Sequence, residues 1–322
     1  MILKLFTQVI LASTLLQLFP VDARDLERAA QSTASEPVSS SYSVFTLPQP
    51  HLPVAKDIAR VPVKKDPTRL GVITSAVSAI VVDRQTGAIL FEKNRETPRS
   101  IGSITKLMTA VVFLEGDPDL TQRASIQAAD VRLGGIQHIR TNDEVTVRDL
   151  VYASLVSSDN SATASLMRLS RMTSGDFIAK MNETAAAIGM QQTQFVDPTG
   201  LSAKNVSVVS DLVKLIDHAA NNETIRDATQ HATYVIQAAS GTTYTLESTD
   251  QLLSTFVNQD PYRIVAAKTG YLPEAGYCLG TLFSDADGHE IIAVVLGSET
   301  EPGRFQDVKS LAVWTYDVYE WN

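Results

Sequence analysis

The sequence predicts an α+β fold, an antiparallel sheet flanked by helices with a helical lobe inserted into it. Two observations carry that expectation. Strand-like runs sit early and late in the folded part, and every helix-period segment but the last lies between them. The late strands are joined by turns too short for the crossovers that parallel pairing needs.

The elements follow in order. Residues 77–82 and 88–91 read as two strands joined by Asp83-Arg84-Gln85-Thr86-Gly87, a hairpin signal. From Ser103 onward, Ile104, Leu107, Met108, Val111 and Val112 recur at helical spacing. Thr146-Val147-Arg148-Asp149 has the form of a capping box and opens a helix through Leu150 and Leu155. That helix stops at Ser158-Asp159-Asn160, and another runs through Ala164, Leu166 and Met167. Phe177, Ile178, Met181, Ala185 and Ile188 mark the next, closed by Gly189. Ser210 is expected to cap one more, through Leu212, Leu215 and Ile216. Residues 234–238 and 243–246 then flank Ser240-Gly241 as a strand pair. Residues 264–271, 278–283 and 291–296 form a meander, with Asp285-Ala286-Asp287-Gly288 turning between the last two. A helix over 304–319 closes the chain.

Residues 1–23 read as an export signal. Lys4 is the lone charge ahead of a mostly apolar run, interrupted by Thr7, Gln8, Ser13, Thr14 and Gln17, and Val21-Asp22-Ala23 offers a cleavage site. A spanning helix needs about 20 strongly apolar residues. Cleavage after Ala23 is therefore expected, giving an exported, periplasmic protein without a stable membrane anchor. Residues 24–67, rich in Ser, Thr and Pro, are expected to be a flexible leader, and 68–322 the folded domain.

Loss of residues 1–23 removes one Lys and one Asp, so the net charge of -9 is unchanged. An acidic surface argues against a nucleic-acid partner. Cys278 is the single cysteine, so an intramolecular disulfide is excluded, and its apolar surroundings read as core. None of His51, His138, His218, His231 or His289 is paired at zinc spacing, and neither a metal nor another cofactor is expected.

Three short motifs carry the chemistry: Ser103-Ile104-Thr105-Lys106, Ser158-Asp159-Asn160 and Lys268-Thr269-Gly270. Ser103 and Lys106 stand three apart on a helix and so share a face, with Ser103 at its positive end. A serine hydroxyl needs a base in hydrogen-bond reach, and a lysine serves only if burial or a like charge such as Lys268 lowers its pKa. Ser158 offers a hydroxyl able to relay a proton between Lys106 and a leaving amine. Asn160 offers an amide to a substrate carbonyl, and Asp159 shapes the turn. Lys268 brings positive charge and Thr269 a hydroxyl for a carboxylate, while Gly270 is expected to clear the strand edge for an extended substrate. Singly, each motif reads better as a helix cap, a turn or an edge lysine. Their joint presence, in this order, points to an acyl-transfer site.

At these residues the chain resembles the D-alanyl-D-alanine carboxypeptidase A family, the low-molecular-mass penicillin-binding proteins that trim peptidoglycan. The likeness extends to Asp149-Leu150-Val151-Tyr152-Ala153, Asp197-Pro198-Thr199-Gly200-Leu201, Ala275-Gly276-Tyr277-Cys278-Leu279 and Gly303-Arg304. It implies a serine β-lactamase/transpeptidase-like fold and hydrolysis of peptidoglycan stem peptides, with β-lactams as covalent inhibitors. By position, Ser103 is the nucleophile and Lys106 its base. The oxyanion lies between the N–H groups of Ser103 and Tyr271, and Lys268, Thr269 and Arg304 receive a carboxylate.

Two features depart from the family pattern. Leu272-Pro273-Glu274 stands where relatives are polar, on the expected rim of the leaving-group pocket. The chain stops at Trp321-Asn322, without the β-rich domain and amphipathic anchor of many carboxypeptidases, which brings it nearest to the short D-alanyl-D-alanine endopeptidases. A β-lactamase would add a Glu-x-x-Leu-Asn segment to position water, which is missing, and a non-catalytic peptidoglycan-binding protein would show damaged motifs.

Overall fold

The computed structural model describes residues 60–321 except Ile136. The signal reading of 1–23, most of the leader reading of 24–67, and His51 lie outside the described residues.

The strands are β1 (Ser78–Asp83), β2 (Ile89–Lys93), β3 (Thr233–Gln237), β4 (Thr243–Glu247), β5 (Arg263–Leu272), β6 (Gly276–Ser284) and β7 (Glu290–Ser298). Five of them make the central antiparallel sheet, in the order β5-β6-β7-β1-β2, while β3 and β4 pair separately. Strand β7 joins the late meander to the early hairpin, with Ile292 opposite Val82 and Val295 opposite Ala79. Strand β5 is thereby left as an edge.

Six helices fall between β2 and β5: α1 (Thr105–Glu115), α2 (Val147–Leu155), α3 (Asn160–Leu169), α4 (Ser174–Ala187), α5 (Val209–Ala220) and α6 (Glu223–Gln230). A seventh, α7 (Glu301–Val318), follows the sheet. Val308, Leu311 and Ala312 of α7 share a core with Ala79, Val81, Ala293 and Val295 on one face of the sheet. The opposite face presents Ile80, Val82, Ile292 and Val294 to the lobe, where Leu212 and Ile216 of α5 join them. With both faces covered, β1 is buried at every position and lacks the apolar–polar alternation of a half-exposed strand. Helix α1 is buried from Thr105 to Phe113 and forms the axis of the lobe, touching α3, α4 and α5.

The Thr146 hydroxyl accepts the Asp149 N–H at 3.1 Å while the Asp149 carboxylate accepts the Thr146 N–H at 2.8 Å, closing the capping box that opens α2. Such a cap contributes about 1 kcal/mol.

Three expectations need correction. Ser210 does not cap α5: Val208 holds that place without a side-chain bond, and the Ser210 hydroxyl donates to Glu96 at 3.2 Å from inside the helix. Helix α6 was not foreseen, because it buries only Ile225, Ala228 and Thr229 and leans on Asn222, whose side chain accepts the Ile225 N–H. Val63–Lys64 pairs with Tyr319–Glu320, and Lys65 Nζ donates to the Asp317 carbonyl at 2.9 Å, so ordered contacts begin ahead of residue 68. Among the described residues, no helix is long and apolar enough to cross a membrane.

Asp307 fastens α7 to the sheet. Its buried carboxylate accepts the N–H groups of Ser75 and Ala76 at 2.9 and 3.0 Å and the hydroxyls of Ser75 and Ser298 at 2.8 Å. Asp307→Ala leaves these donors without an acceptor and should destabilise the protein by about 3 kcal/mol. Urea unfolding monitored by circular dichroism measures this, and an unchanged midpoint would contradict it.

Candidate active site

Ser103 lies in a turn of 3-10 helix, Gly102–Ile104, immediately before α1. That turn is wedged between β5 and the loop at 197–200 by backbone contacts too close for any side chain. A Cβ on Gly270 would lie 2.4 Å from the Ile101 carbonyl oxygen, one on Gly200 2.2 Å from the Gly102 oxygen, and one on Gly102 2.8 Å from the Tyr271 nitrogen. The expectation for Gly270 is thereby revised. Its missing side chain admits the turn that carries Ser103, and not an extended substrate.

Lys106 has no exposed surface. Its Nζ lies 2.9 Å from Ser103 Oγ, 2.7 Å from Asn160 Oδ1 and 2.6 Å from the Thr199 carbonyl oxygen. A neutral amine has two N–H bonds and one lone pair. Asn160 and Thr199 take the two hydrogens, which leaves the lone pair for the Ser103 hydroxyl. Burial pushes this amine down to about 7, against the pull of Asp197 and Asp159. The like charge of Lys268, named from the sequence as the cause, is not the leading one.

Asn160 opens α3, and its Nδ2 donates to the Gly134 carbonyl at 3.2 Å. Asp159 turns away from the cleft as expected: Oδ1 accepts the Ser161 and Ala162 N–H groups, and Oδ2 accepts the His138 N–H at 2.8 Å. Ser158 has a φ of 59°, in the left-handed region that non-glycine residues rarely occupy. Its hydroxyl accepts from Lys268 Nζ at 3.1 Å and makes no hydrogen bond to Lys106 among the described residues.

Lys268 is also buried. Burial holds its ammonium well below the ordinary lysine range, Lys106 and Arg304 push the same way, and Asp250 opposes them. Thr269 Oγ1 lies 2.6 Å from Thr249 Oγ1. Tyr271 is half-exposed, with its ring stacked on Tyr277 at 4.5 Å. Arg304, in the first turn of α7, is 4 % exposed; it donates to the Gly270 carbonyl and to Glu301, each at 3.2 Å, and lies over the Phe305 ring at 4.7 Å.

The cleft has two arms that meet at Ser103 and Ser158. One, about 260 Å³, is lined by Thr249, Gln251, Thr269, Tyr271 and Arg304. The other, about 430 Å³, is lined by Gly134, Gly135, His138, Asn160 and Glu247. A separate cavity of about 450 Å³ between Asp260, Arg263 and Asp285 contains none of the motif residues and is remote from this chemistry. Leu272 packs against the core, and neither it nor Pro273 lines the arms, contrary to their expected place on the rim. The sequence did not single out Thr249, Asp250 or the Thr199 carbonyl as site groups. A backbone acceptor has no residue signature, and Thr249-Asp250 follows β4 as an ordinary polar link.

An amine poised on a serine, beside a hydroxyl–amide turn and a basic strand edge in an α+β fold, defines a serine peptidase of the penicillin-binding class. Residues 65–300 match the family described as D-alanyl-D-alanine carboxypeptidase, and the chain belongs to that family. It is similar to the D-alanyl-D-alanine endopeptidase of Escherichia coli (strain K12), 32 % identical over 241 residues that cover 74 % of this chain and 76 % of the relative. The Streptomyces K15 DD-transpeptidase structure matches with a TM-score of 0.69 at 28 % identity, covering 78 % of this chain and 100 % of the other. Penicillin-binding protein D2 from Listeria monocytogenes, in its ampicillin-bound form, matches with a TM-score of 0.66 at 28 % identity, covering 77 % and 100 %.

The low value of Lys106 has a consequence for stability. Its folded value of about 7 lies below the ordinary 10.5, so unfolding takes up a proton between those limits. Wild-type stability therefore gains from this group as pH rises through that window, whereas Lys106→Met lacks the contribution. Between pH 6 and pH 9 the stability difference should move toward the wild type by about 2–3 kcal/mol. Urea unfolding of both proteins at the two pH values tests this, and a constant difference would return Lys106 to an ordinary pKa.

Proposed function

We propose that this D-alanyl-D-alanine peptidase is an exported, periplasmic endopeptidase that opens peptidoglycan cross-links through an acyl-enzyme on Ser103. The observation that carries the reading is the 2.9 Å contact between Ser103 Oγ and a fully buried Lys106 amine. Ser103 Oγ attacks the D-alanyl carbonyl as its proton passes to Lys106 Nζ. The oxyanion forms between the Ser103 and Tyr271 N–H groups, whose closeness the Gly102 contact supports. A donor of this kind contributes about 10²–10³ in rate. The tetrahedral intermediate collapses, the C–N bond breaks, and the leaving amine takes up a proton delivered from Lys106 by way of Ser158. Asn160 meanwhile keeps the amine of Lys106 aimed at the serine. Water then cleaves the ester, regenerating the Ser103 hydroxyl and releasing the carboxylic acid.

Thr269 and Arg304 line the smaller arm, with Lys268 buried behind Ser158, and together they would hold the carboxylate of the leaving residue. A terminal D-alanine and the D-centre of a cross-linking diamino acid present that carboxylate in the same place, so discrimination rests on the room beyond the α-carbon. The arm is lined there by Ser248, Thr249 and Gln251, without Leu272 or Pro273 to narrow it, and the Escherichia coli relative bears the name endopeptidase.

Fluorescent penicillin applied to fractionated cells should label a periplasmic polypeptide that begins at Arg24, and the Ser103→Ala form should stay dark. Equal labelling of both would remove Ser103 from the mechanism, and a labelled membrane band starting at Met1 would replace export by anchoring. Digestion of cross-linked dimeric muropeptides beside monomeric pentapeptides, resolved by chromatography, should show faster loss of dimers. Release of D-alanine with dimers left intact would reverse the endopeptidase assignment.

A further inference from the structure

The smaller arm of the cleft does not end at Gln251. That residue also lines a second hollow of about 300 Å³, together with Thr255, Gly303, Gln306 and Lys309. Gln306 and Lys309 in turn line a third, of about 410 Å³, with Val72, Phe256, Val313 and Trp314. The shared residues join the three into one groove that leads from Ser103 along α7.

Both walls follow from the local sequence. On α7, Pro302, Gln306, Lys309, Val313 and Asp317 recur at helical spacing and form one face, opposite the buried Val308, Leu311 and Thr315. The facing wall belongs to the link between β4 and β5, which makes two 3-10 turns, Gln251–Ser254 and Phe256–Asn258. Leu252, Leu253 and Val257 anchor that wall in the core that also receives α7. The Thr255 hydroxyl donates to the Leu252 carbonyl at 2.8 Å, and Asn258 Nδ2 donates to the Leu253 carbonyl at 3.0 Å. The groove is therefore built into the fold. Phe256, 54 % exposed, gives it an apolar wall.

Its unpaired charge is positive. The acids at its edges are each matched with an arginine, Glu301 with Arg304 at 3.2 Å and Asp317 with Arg69 at 2.6 Å. Lys309 is half-buried and has no ion pair among the described residues. On a chain of net charge -9, a cation left over in a groove that opens into the cleft favours an anionic occupant.

We propose that this groove is the subsite for the chain that leaves when a cross-link is cut, an extended anionic stem peptide lying over α7 with a carboxylate toward Lys309. The inference rests on the endopeptidase reading and extends it. A terminal D-alanine needs only the smaller arm. A cross-link leaves with a whole peptide attached to the diamino acid, ending in a free carboxylate, and that peptide needs a path away from the serine. From Arg304 to Trp314 the helix rises about 15 Å at about 1.5 Å per residue, room for about four extended residues. Gln251 and Gln306 bring side-chain amides that can bond a peptide backbone, while Phe256 and Val313 cover apolar side chains.

Lys309→Glu reverses the charge on the outer face of α7 and alters none of the groups around Ser103. Three reactions are compared: cleavage of cross-linked dimeric muropeptides, cleavage of a shortened cross-link whose leaving part is the diamino acid alone, and acylation by benzylpenicillin. Dimer cleavage should fall about fivefold in kcat/KM, mainly through KM, the scale of a half-exposed ion pair lost and reversed. The shortened cross-link and benzylpenicillin do not reach the groove and should react as with the wild type, and Lys309→Arg should keep dimer cleavage. The same loss on either short substrate, or an unchanged rate on dimers, would overturn the proposal. If Lys309→Glu fails to fold by circular dichroism, Lys309→Gln takes its place in the same series. Wild-type protein that leaves dimers intact defeats the endopeptidase reading itself. Dimers cut equally by the wild type and Lys309→Glu defeat this inference alone.

Discussion

The site depends on one buried amine. Taking a full ammonium out of water costs several kcal/mol even after relaxation, and Lys106 has no exposed surface over which to spread that charge. The chain meets the difficulty by pushing the amine down to about 7 and by giving the two hydrogens of its neutral form fixed acceptors, Asn160 and the Thr199 carbonyl. These come from α3 and from the 197–200 loop, so both are tied to α1 through a single nitrogen. The loop is itself rigid: Asp197 Oδ1 accepts the Thr199 and Gly200 N–H groups at 2.7 and 2.9 Å, and Oδ2 accepts the Ser202 N–H at 2.9 Å. A lapse in any of these contacts would let water reach the amine and restore its charge.

The rest of the cleft divides charge between its sides. On the α1 side burial pushes the Lys106 amine down to about 7, and it faces the Ser103 hydroxyl at 2.9 Å. On the β5 side Lys268 is buried and donates to the Ser158 hydroxyl, while Arg304 reaches the Gly270 carbonyl from the first turn of α7.

Much of this was legible from the residues. Hairpin turns, the capping box at Thr146 and the apolar run of α1 each act locally, so their sequence signatures survive folding. Helix α6 was missed because packing, and not periodicity, stabilises an eight-residue segment with two buried apolar side chains. Ser210 misled because a serine one residue inside a helix has the same local pattern as a cap. At the site, the motif residues could be named but their partners could not. Gly270 looked like an opening for substrate, and only the approach of Ile101, far away in the chain, reveals what its missing Cβ admits. Asp250 lay in a link with no signature, yet it is buried and caps the turn that follows it.

The topology has a consequence in time. Strand β1 finds its partner β7 only after the helical lobe and most of the meander have been made. Ser103 and Lys106 leave the ribosome about two hundred residues ahead of Arg304, which at about 5–20 residues per second is an interval of about 10–40 s. For most of it the chain holds the serine and the lysine without the strand edge against which their turn is wedged, and for all of it without the arginine. On the proposed reading of Ser103, the nucleophile thus lacks its full setting while the polypeptide is growing, and acquires it as one of the last acts of assembly.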